Sequence, residues 1–195
     1  MSFWSGLVRP VEEDVRILVD RNMAPGESIT LDVDGFISVG CERPVRLNFY
    51  IIDGWVEPMY DRNHALARLL SLVEAGKVRI VNTDTDYYKK AVVLFTPLFR
   101  VYGWRGTKTL YEGYISGESY VTLTESGLCM LYHNGNGTVK VDILSSLGWL
   151  PIVSSTSIGY LGSYDCALFL SLAGKVRVGY ESGYYGYVKV VKLMF

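Results

Sequence analysis

The sequence predicts an all-β fold: two tandem jelly-roll or β-sandwich domains of about 90 residues each, related by internal duplication, with one short helix in the first. Three observations carry this. Apolar and polar residues alternate with period two along most of the chain, as half-buried strands require. The 15 Tyr and 20 Gly supply β-favouring aromatics broken by turn residues. The pentapeptide AGKVR occurs twice, at Ala75–Arg79 and Ala173–Arg177, and the similarity extends well beyond it.

In the first copy the echo continues as AGKVRIVNTDTDYYKKAVVLF and in the second as AGKVRVGYESGYYGYVKVVKLMF, each with a β-rich segment, a polar turn, a Tyr-Tyr pair and a second β-rich segment. Upstream, GESITLDVDGFISV (26–39) aligns with GESYVTLTESGLCML (117–131) after a one-residue gap. PVRLNFYI (44–51) aligns with TVKVDILS (138–145), and ILVDRNMAPGES (17–28) with TLYEGYISGES (109–119). With ALARLLSL (65–72) facing a shorter ALFLSL (167–172), five collinear blocks read as two copies of one unit, with domain 1 over residues 16–100 and domain 2 over 101–195.

Strands are expected at VRILVD, SITLDVD, FISVGC, VRLNFYII, KVRIV and KAVVLF in the first copy. In the second they are expected at TLYEGYI, YVTLTES, LCMLYH, TVKVDIL, ALFLSL, KVRVGY and YVKVVKLMF. The turns between them are read from APG, DG, ERP, SG, ESG and NGNG, the last as a hairpin turn. DRNHALARLLSLVEAG (61–76) has apolar residues at helical spacing with Gly76 as a stop, and faces only ALFLSL in the second copy. Residues 96–107, aromatic and apolar, predict a packed connector. Residues 1–15 form an N-terminal arm without counterpart in the second copy. Its apolar Phe3, Trp4, Leu7 and Val8 call for docking on their own domain or on another subunit.

Composition narrows the function. With 49% hydrophobic residues the chain can bury a core, and a net charge of −1 leaves no electrostatic footprint for nucleic acid or an anionic membrane. No apolar run reaches the roughly 18 residues of a membrane span, and no signal-peptide h-region opens the chain, so synthesis in the cytoplasm without export is expected. The lack of Gln and the presence of only six Asn fit a thermophilic host. Cys41, Cys129 and Cys166 read as buried free thiols, being odd in number and without ligand spacing.

No nucleophile elbow, metalloprotease motif or phosphate-binding loop is present, so the chain reads as non-enzymatic, without cofactor or metal. His64 and His133 have no second ligand nearby and read as structural or solvated. Asp32 with Asp34 and Asp84 with Asp86 have a spacing that places both carboxylates on one strand face, where they could hold Ca²⁺ or simply form solvated turns. The sequon at Asn136-Gly137-Thr138 reads as incidental. In YESGYYGY, the tyrosines Tyr180, Tyr184, Tyr185 and Tyr187 form a candidate face for a protein partner or a glycan, with half-burial in the sheet as the plainer reading. The run from a Gly-Glu-Ser turn through LNFYIID to a late Tyr-Tyr strand resembles the general pattern of secreted and viral jelly-roll or emp24-type β-sandwich domains, which implies a sandwich of one of these kinds.

The functional expectation is therefore a structural protein that self-assembles. Its setting would be a virion or extracellular assembly, as a capsid or fibre protein of a thermophilic, archaeal-type host. The alternative is a carbohydrate- or ligand-binding module using the tyrosine face.

Overall fold

The computed structural model describes residues 8–10, 15–42, 45–51, 54–56, 70–100, 106–157, 165–181 and 184–194. Over these residues the chain is all-β, with fourteen strands in four sheets, an arrangement compatible with a β-sandwich. The first seven strands are β1 (Val8–Pro10), β2 (Arg16–Met23), β3 (Ser28–Cys41), β4 (Arg46–Ile51), β5 (Gly54–Val56), β6 (Leu70–Val81) and β7 (Lys89–Arg100). They are followed by β8 (Gly106–Ser116), β9 (Tyr120–Leu123), β10 (Gly127–Ser145), β11 (Gly148–Ser157), β12 (Asp165–Ser171), β13 (Val176–Tyr180) and β14 (Tyr185–Met194). β1–β7 pair only among themselves in the order β1-β7-β3-β6-β4-β5, with β2 also on β7. β8–β14 do likewise in the order β8-β14-β10-β13-β9, with β11 and β12 on β10.

All the ladders are antiparallel, and their registers coincide between the two halves. Leu31 lies opposite Val78 as Leu123 lies opposite Val176. Val39 opposite Val93 corresponds to Leu131 opposite Val190. Met23 opposite Lys89 corresponds to Ile115 opposite Gly186, and Asn48 opposite Arg79 corresponds to Asp142 opposite Arg177. Tyr50 opposite Trp55 corresponds to Leu144 opposite Trp149. Even an irregularity recurs: the β2–β7 ladder skips Leu18 between Ile17 and Val19, and the β8–β14 ladder skips Leu110 between Thr109 and Tyr111. A bulge re-aims every side chain beyond it, so a shared bulge preserves which residues face the core on either side.

Two strands are longer than the sequence suggests. DG at Asp34-Gly35 and NGNG at Asn134–Gly137, both expected as turns, lie inside β3 and β10. Each marks the place where a strand changes partners. β3 pairs with β6 up to Ser38 and with β7 from Gly35 onward. β10 pairs with β14 and β12 before Gly137, and with β11 and β13 after it. Glycine is needed at both bends. A Cβ on Gly35 would run into the Thr96 carbonyl, and one on Gly137 would enter the Tyr184 ring, at a φ of +111° that other residues rarely adopt.

The expected helix is also corrected. Leu70–Gly76 belongs to β6, with Leu70, Ser71 and Leu72 laddered to Ser38, Ile37 and Phe36. A short Leu-rich run satisfies either period, and here the β3 ladder decides in favour of strand. Residues 61–69 lie outside the described residues, and no helix occurs among those described. Most of the expected connector is strand, since β7 runs to Arg100 and β8 begins at Gly106. Within the expected arm, Val8–Pro10 pairs in the same chain with Leu98–Arg100 of β7, whereas Phe3, Trp4 and Leu7 lie outside the described residues.

The halves join through β7. Ala91, Val93 and Phe95 enter the core of the first half with Val19, Ile37, Val39 and Ile80. Val92 and Leu94 point the other way and enter the larger core with Val15, Ile143, Leu150, Phe169 and Leu170. Burying a Val or Leu side chain contributes about 1.5–3 kcal/mol, so both faces of this strand contribute to stability. Two polar contacts fix the alignment: the Leu170 amide donates to Ser38 Oγ at 2.9 Å in a buried setting, and the Ser146 amide donates to Asp20 Oδ2 at 2.7 Å. Gly40 permits the close approach, because a Cβ there would sit 2.8 Å from Val92 Cγ1 and 3.1 Å from Ile143 Cγ2.

Replacing Ser38 by Ala leaves the buried Leu170 amide without its acceptor and is expected to cost about 1–3 kcal/mol. Replacing Gly40 by Val overpacks the same seam at a similar cost of about 1–3 kcal/mol. Urea denaturation of the two variants measures both losses; stabilities equal to wild type would show that the seam does not hold the halves together.

Candidate functional site

The sequence points to the last tyrosine-rich stretch, and the sheet formed by β8, β14 and β10 shows what it builds. On β14, Tyr185, Tyr187 and Lys189 lie two residues apart and therefore share a face. Opposite them on β8 stand Ser116, Tyr114 and Glu112. Tyr114 and Tyr185 are 77% and 71% exposed. The Tyr114 and Tyr187 rings meet edge to face at 5.8 Å, so the cross-strand pair holds both rings in place. The Tyr187 hydroxyl donates to Glu112 Oε1, and Lys189 Nζ lies 2.9 Å from Glu112 Oε2. The Tyr187 hydroxyl first and Lys189 second hold the Glu112 carboxyl below the ordinary range. The face therefore presents two open phenol rings beside an ionised, doubly engaged carboxylate.

Tyr184, the residue before that strand, is also exposed. Tyr180 is not part of this face. It lies wholly inside the core, edge-on to buried His133 at 6.3 Å, which corrects the expectation of a shared tyrosine surface. Alternation along β13 explains it: Val176, Val178 and Tyr180 point inward while Arg177 points outward. The Tyr180 hydroxyl has no hydrogen-bond partner, and burial pushes its pKa up to about 12.

The outward residue of that strand builds a second constellation, which the sequence reading missed. The Arg177 guanidinium lies between two rings, 3.7 Å from the Tyr120 centroid and 4.1 Å from that of Trp149. It also binds Asp142, with Nη2 and Nε each 3.0 Å from Oδ2. Burial raises the Asp142 pKa, opposed by the hydrogen bond from Arg177. Tyr120 can lie flat because Gly179 beneath it has no side chain; a Cβ there would sit 2.6 Å from the Tyr120 ring. The corresponding Arg79 lies over Trp55 at 3.9 Å. The signal that could have found this pair is the Gly-Trp dipeptide present in both copies, at Gly54-Trp55 and Gly148-Trp149.

The remaining candidates fall on structural roles. Lys77 pairs with Asp32 at 3.9 Å, and buried Lys89 with Asp84 at 3.3 Å. Among the described residues no group of three or more His, Cys, Asp or Glu is placed to hold a metal ion. Cys41 and Cys129 are buried free thiols. The sequon residues Asn136, Gly137 and Thr138 are part of β10, and His64 lies outside the described residues. Among the described residues no helix is long and apolar enough to cross a membrane.

Tyr180 gives a pH prediction with a definite sign. The unfolded phenol ionises near 10.0 and the folded one near 12, so the unfolded state gives up its proton first and stability falls as pH rises between those values. Tyr180→Phe removes an unsatisfied buried hydroxyl and should leave stability at neutral pH unchanged or up to about 1–2 kcal/mol higher. It should also flatten the alkaline slope. Thermal melts from pH 8 to 12 check both, and an unaltered slope in the variant would count against the assignment.

No protein-family model matches the chain, and no curated protein matches it. Among solved structures the chain is similar to an IolB-like protein from Salmonella typhimurium LT2, at 14% identity over 90% of this chain and 82% of that one, with a TM-score of 0.28. A TM-score of that size falls short of a shared fold.

Proposed function

We propose that the chain is an internally duplicated β-sandwich protein, with units at residues 16–100 and 101–195, that works by association and not by catalysis. The duplication is supported by the five ladders that keep one register in both halves and by the bulge shared at Leu18 and Leu110. Unrelated β-segments of similar composition would share alternation, but have no reason to share register and bulge together.

The observation that carries the association reading is the open pair Tyr114 and Tyr185, 77% and 71% exposed on one sheet face, with Tyr114 braced by Tyr187. Rigid aromatic rings lose little entropy on being covered, and Tyr is enriched in the centres of protein interfaces. The partner is further copies of the chain, and the assembly is a structural one of capsid or fibre type. A second reading, glycan binding, is favoured by one feature, the Glu112 carboxylate and Lys189 amine set beside the rings, where they could hydrogen-bond sugar hydroxyls.

Light scattering on the purified full chain across a concentration series is expected to show species larger than one chain. The double variant Tyr114→Ser with Tyr185→Ser should reduce them at least tenfold at equal concentration, with the circular dichroism spectrum unchanged. A wild type that stays monomeric throughout would sink the assembly reading, and saturable binding of a glycan to that monomer would move the assignment to the second.

A further inference from the structure

The two arginine–tryptophan stacks are equivalent in register but unequal in completeness. In the second half Arg177 has a ring on each side and a carboxylate at its edge: Trp149, Tyr120 and Asp142. In the first half Arg79 keeps the tryptophan, Trp55 at 3.9 Å, and lacks the rest. The position of Tyr120, opposite Gly179, is taken by exposed Ser28 opposite Val81. The position of Asp142, opposite Arg177, is taken by Asn48 opposite Arg79. Among the described residues the Arg79 guanidinium makes no ion pair and no side-chain hydrogen bond. Beside it, Asn48 Oδ1 is buried without a hydrogen-bond partner.

We propose that this half-built clamp is a binding site for an aromatic carboxylate. The ligand supplies both groups that the second half takes from its own chain. Its ring lies on the open face of the Arg79 guanidinium, opposite Trp55, with Val81 and Ser28 beside it. Its carboxylate accepts from the edge of the guanidinium. Guanidinium suits both tasks: its plane stacks on aromatic rings and its fork of N–H groups matches the two oxygens of a carboxylate. Thr30, also opposite Arg79, adds a hydroxyl at the rim. The selectivity follows from the same geometry. A neutral aromatic lacks the partner for the guanidinium edge, and an aliphatic carboxylate leaves its face uncovered. The site is remote in sequence from the tyrosine face of β8 and β14 and does not depend on the association reading.

The test is isothermal titration calorimetry of the full chain with 4-hydroxyphenylacetate, whose ring and carboxylate copy Tyr120 and Asp142. Saturable binding of one ligand per chain is expected. The neutral 4-hydroxyphenylacetamide should bind at least tenfold more weakly. Arg79→Lys keeps the charge but loses the plane and the fork, and should also weaken binding at least tenfold. Asn48→Asp supplies the internal carboxylate that the second half uses, and should compete with the ligand to the same extent while the melting temperature stays at or above that of wild type. Arg177→Lys, at the complete clamp, should leave the affinity unchanged in a folded variant. No saturable binding to wild type up to millimolar concentration would overturn the proposal. Affinity unaltered in Arg79→Lys or in Asn48→Asp would overturn it equally.

Discussion

The structure depends on one strand having no free face. From Ala91 to Thr96, β7 is buried at every position, so its alternating side chains serve two cores at once. A half-buried strand needs one apolar stripe, and a strand held between two layers needs two, which is why AVVLF reads as a continuous apolar run. Everything at the seam follows from that burial. Once Val92 and Leu94 are covered by the second half, a backbone amide trapped beside them must find an acceptor, and Ser38 supplies it to Leu170. Close contact then requires a residue without a side chain, and Gly40 is placed where Ile143 and Pro151 approach.

The turn architecture follows a related economy of partners. A buried strand cannot end without leaving amides and carbonyls unpaired, so β3 and β10 continue through their bends and exchange partners instead of stopping. Where the chain does turn, side chains take over the backbone's hydrogen bonds. Asn82 Nδ2 donates to the carbonyls of Met23, Ala24 and Tyr87, while its Oδ1 accepts from the Asp84 amide. In the second half the equivalent position is Tyr180, which contributes bulk to the core and leaves its hydroxyl unsatisfied. One backbone plan thus tolerates a polar clasp in one half and an apolar plug in the other.

The strands were largely legible in the sequence because alternation records which side of a strand faces a core. The register shared by the two halves was legible because register and spacing are the same quantity counted along the chain. The alignment of Val78 with Val176 and of Val39 with Leu131 already contained the ladders that the structure displays. The errors have a common cause. Local preference favours turns at NGNG and DG and a helix over 61–76, and at Asn134–Gly137, Asp34-Gly35 and Leu70–Gly76 a partner strand distant in sequence decides instead. Proximity in the chain groups Tyr180 with Tyr184, Tyr185 and Tyr187, whereas alternation along β13 turns Tyr180 into the core. The arginine clamps were invisible for a different reason: their rings, guanidinium and carboxylate come from three or four strands.

The register shared by the two halves also constrains how copies of this chain can meet. If the second half used its β8–β14–β10 face as the first half uses β2–β7–β3, a further unit would dock there in the same way, and the chain would extend without limit. The substitutions at that face prevent it. Tyr132 stands where Gly40 admits the neighbour, and Lys189 stands where Val92 is buried. A tyrosine cannot allow the approach that a missing side chain allows, and a buried lysine without a partner would cost several kcal/mol. The internal seam is therefore closed after one use and does not repeat on the second face. Tyr114 and Tyr185 stand clear of the sheet, and Lys189 pairs with Glu112. Lys189, which stops the seam from repeating, lies on the sheet face that carries exposed Tyr114 and Tyr185.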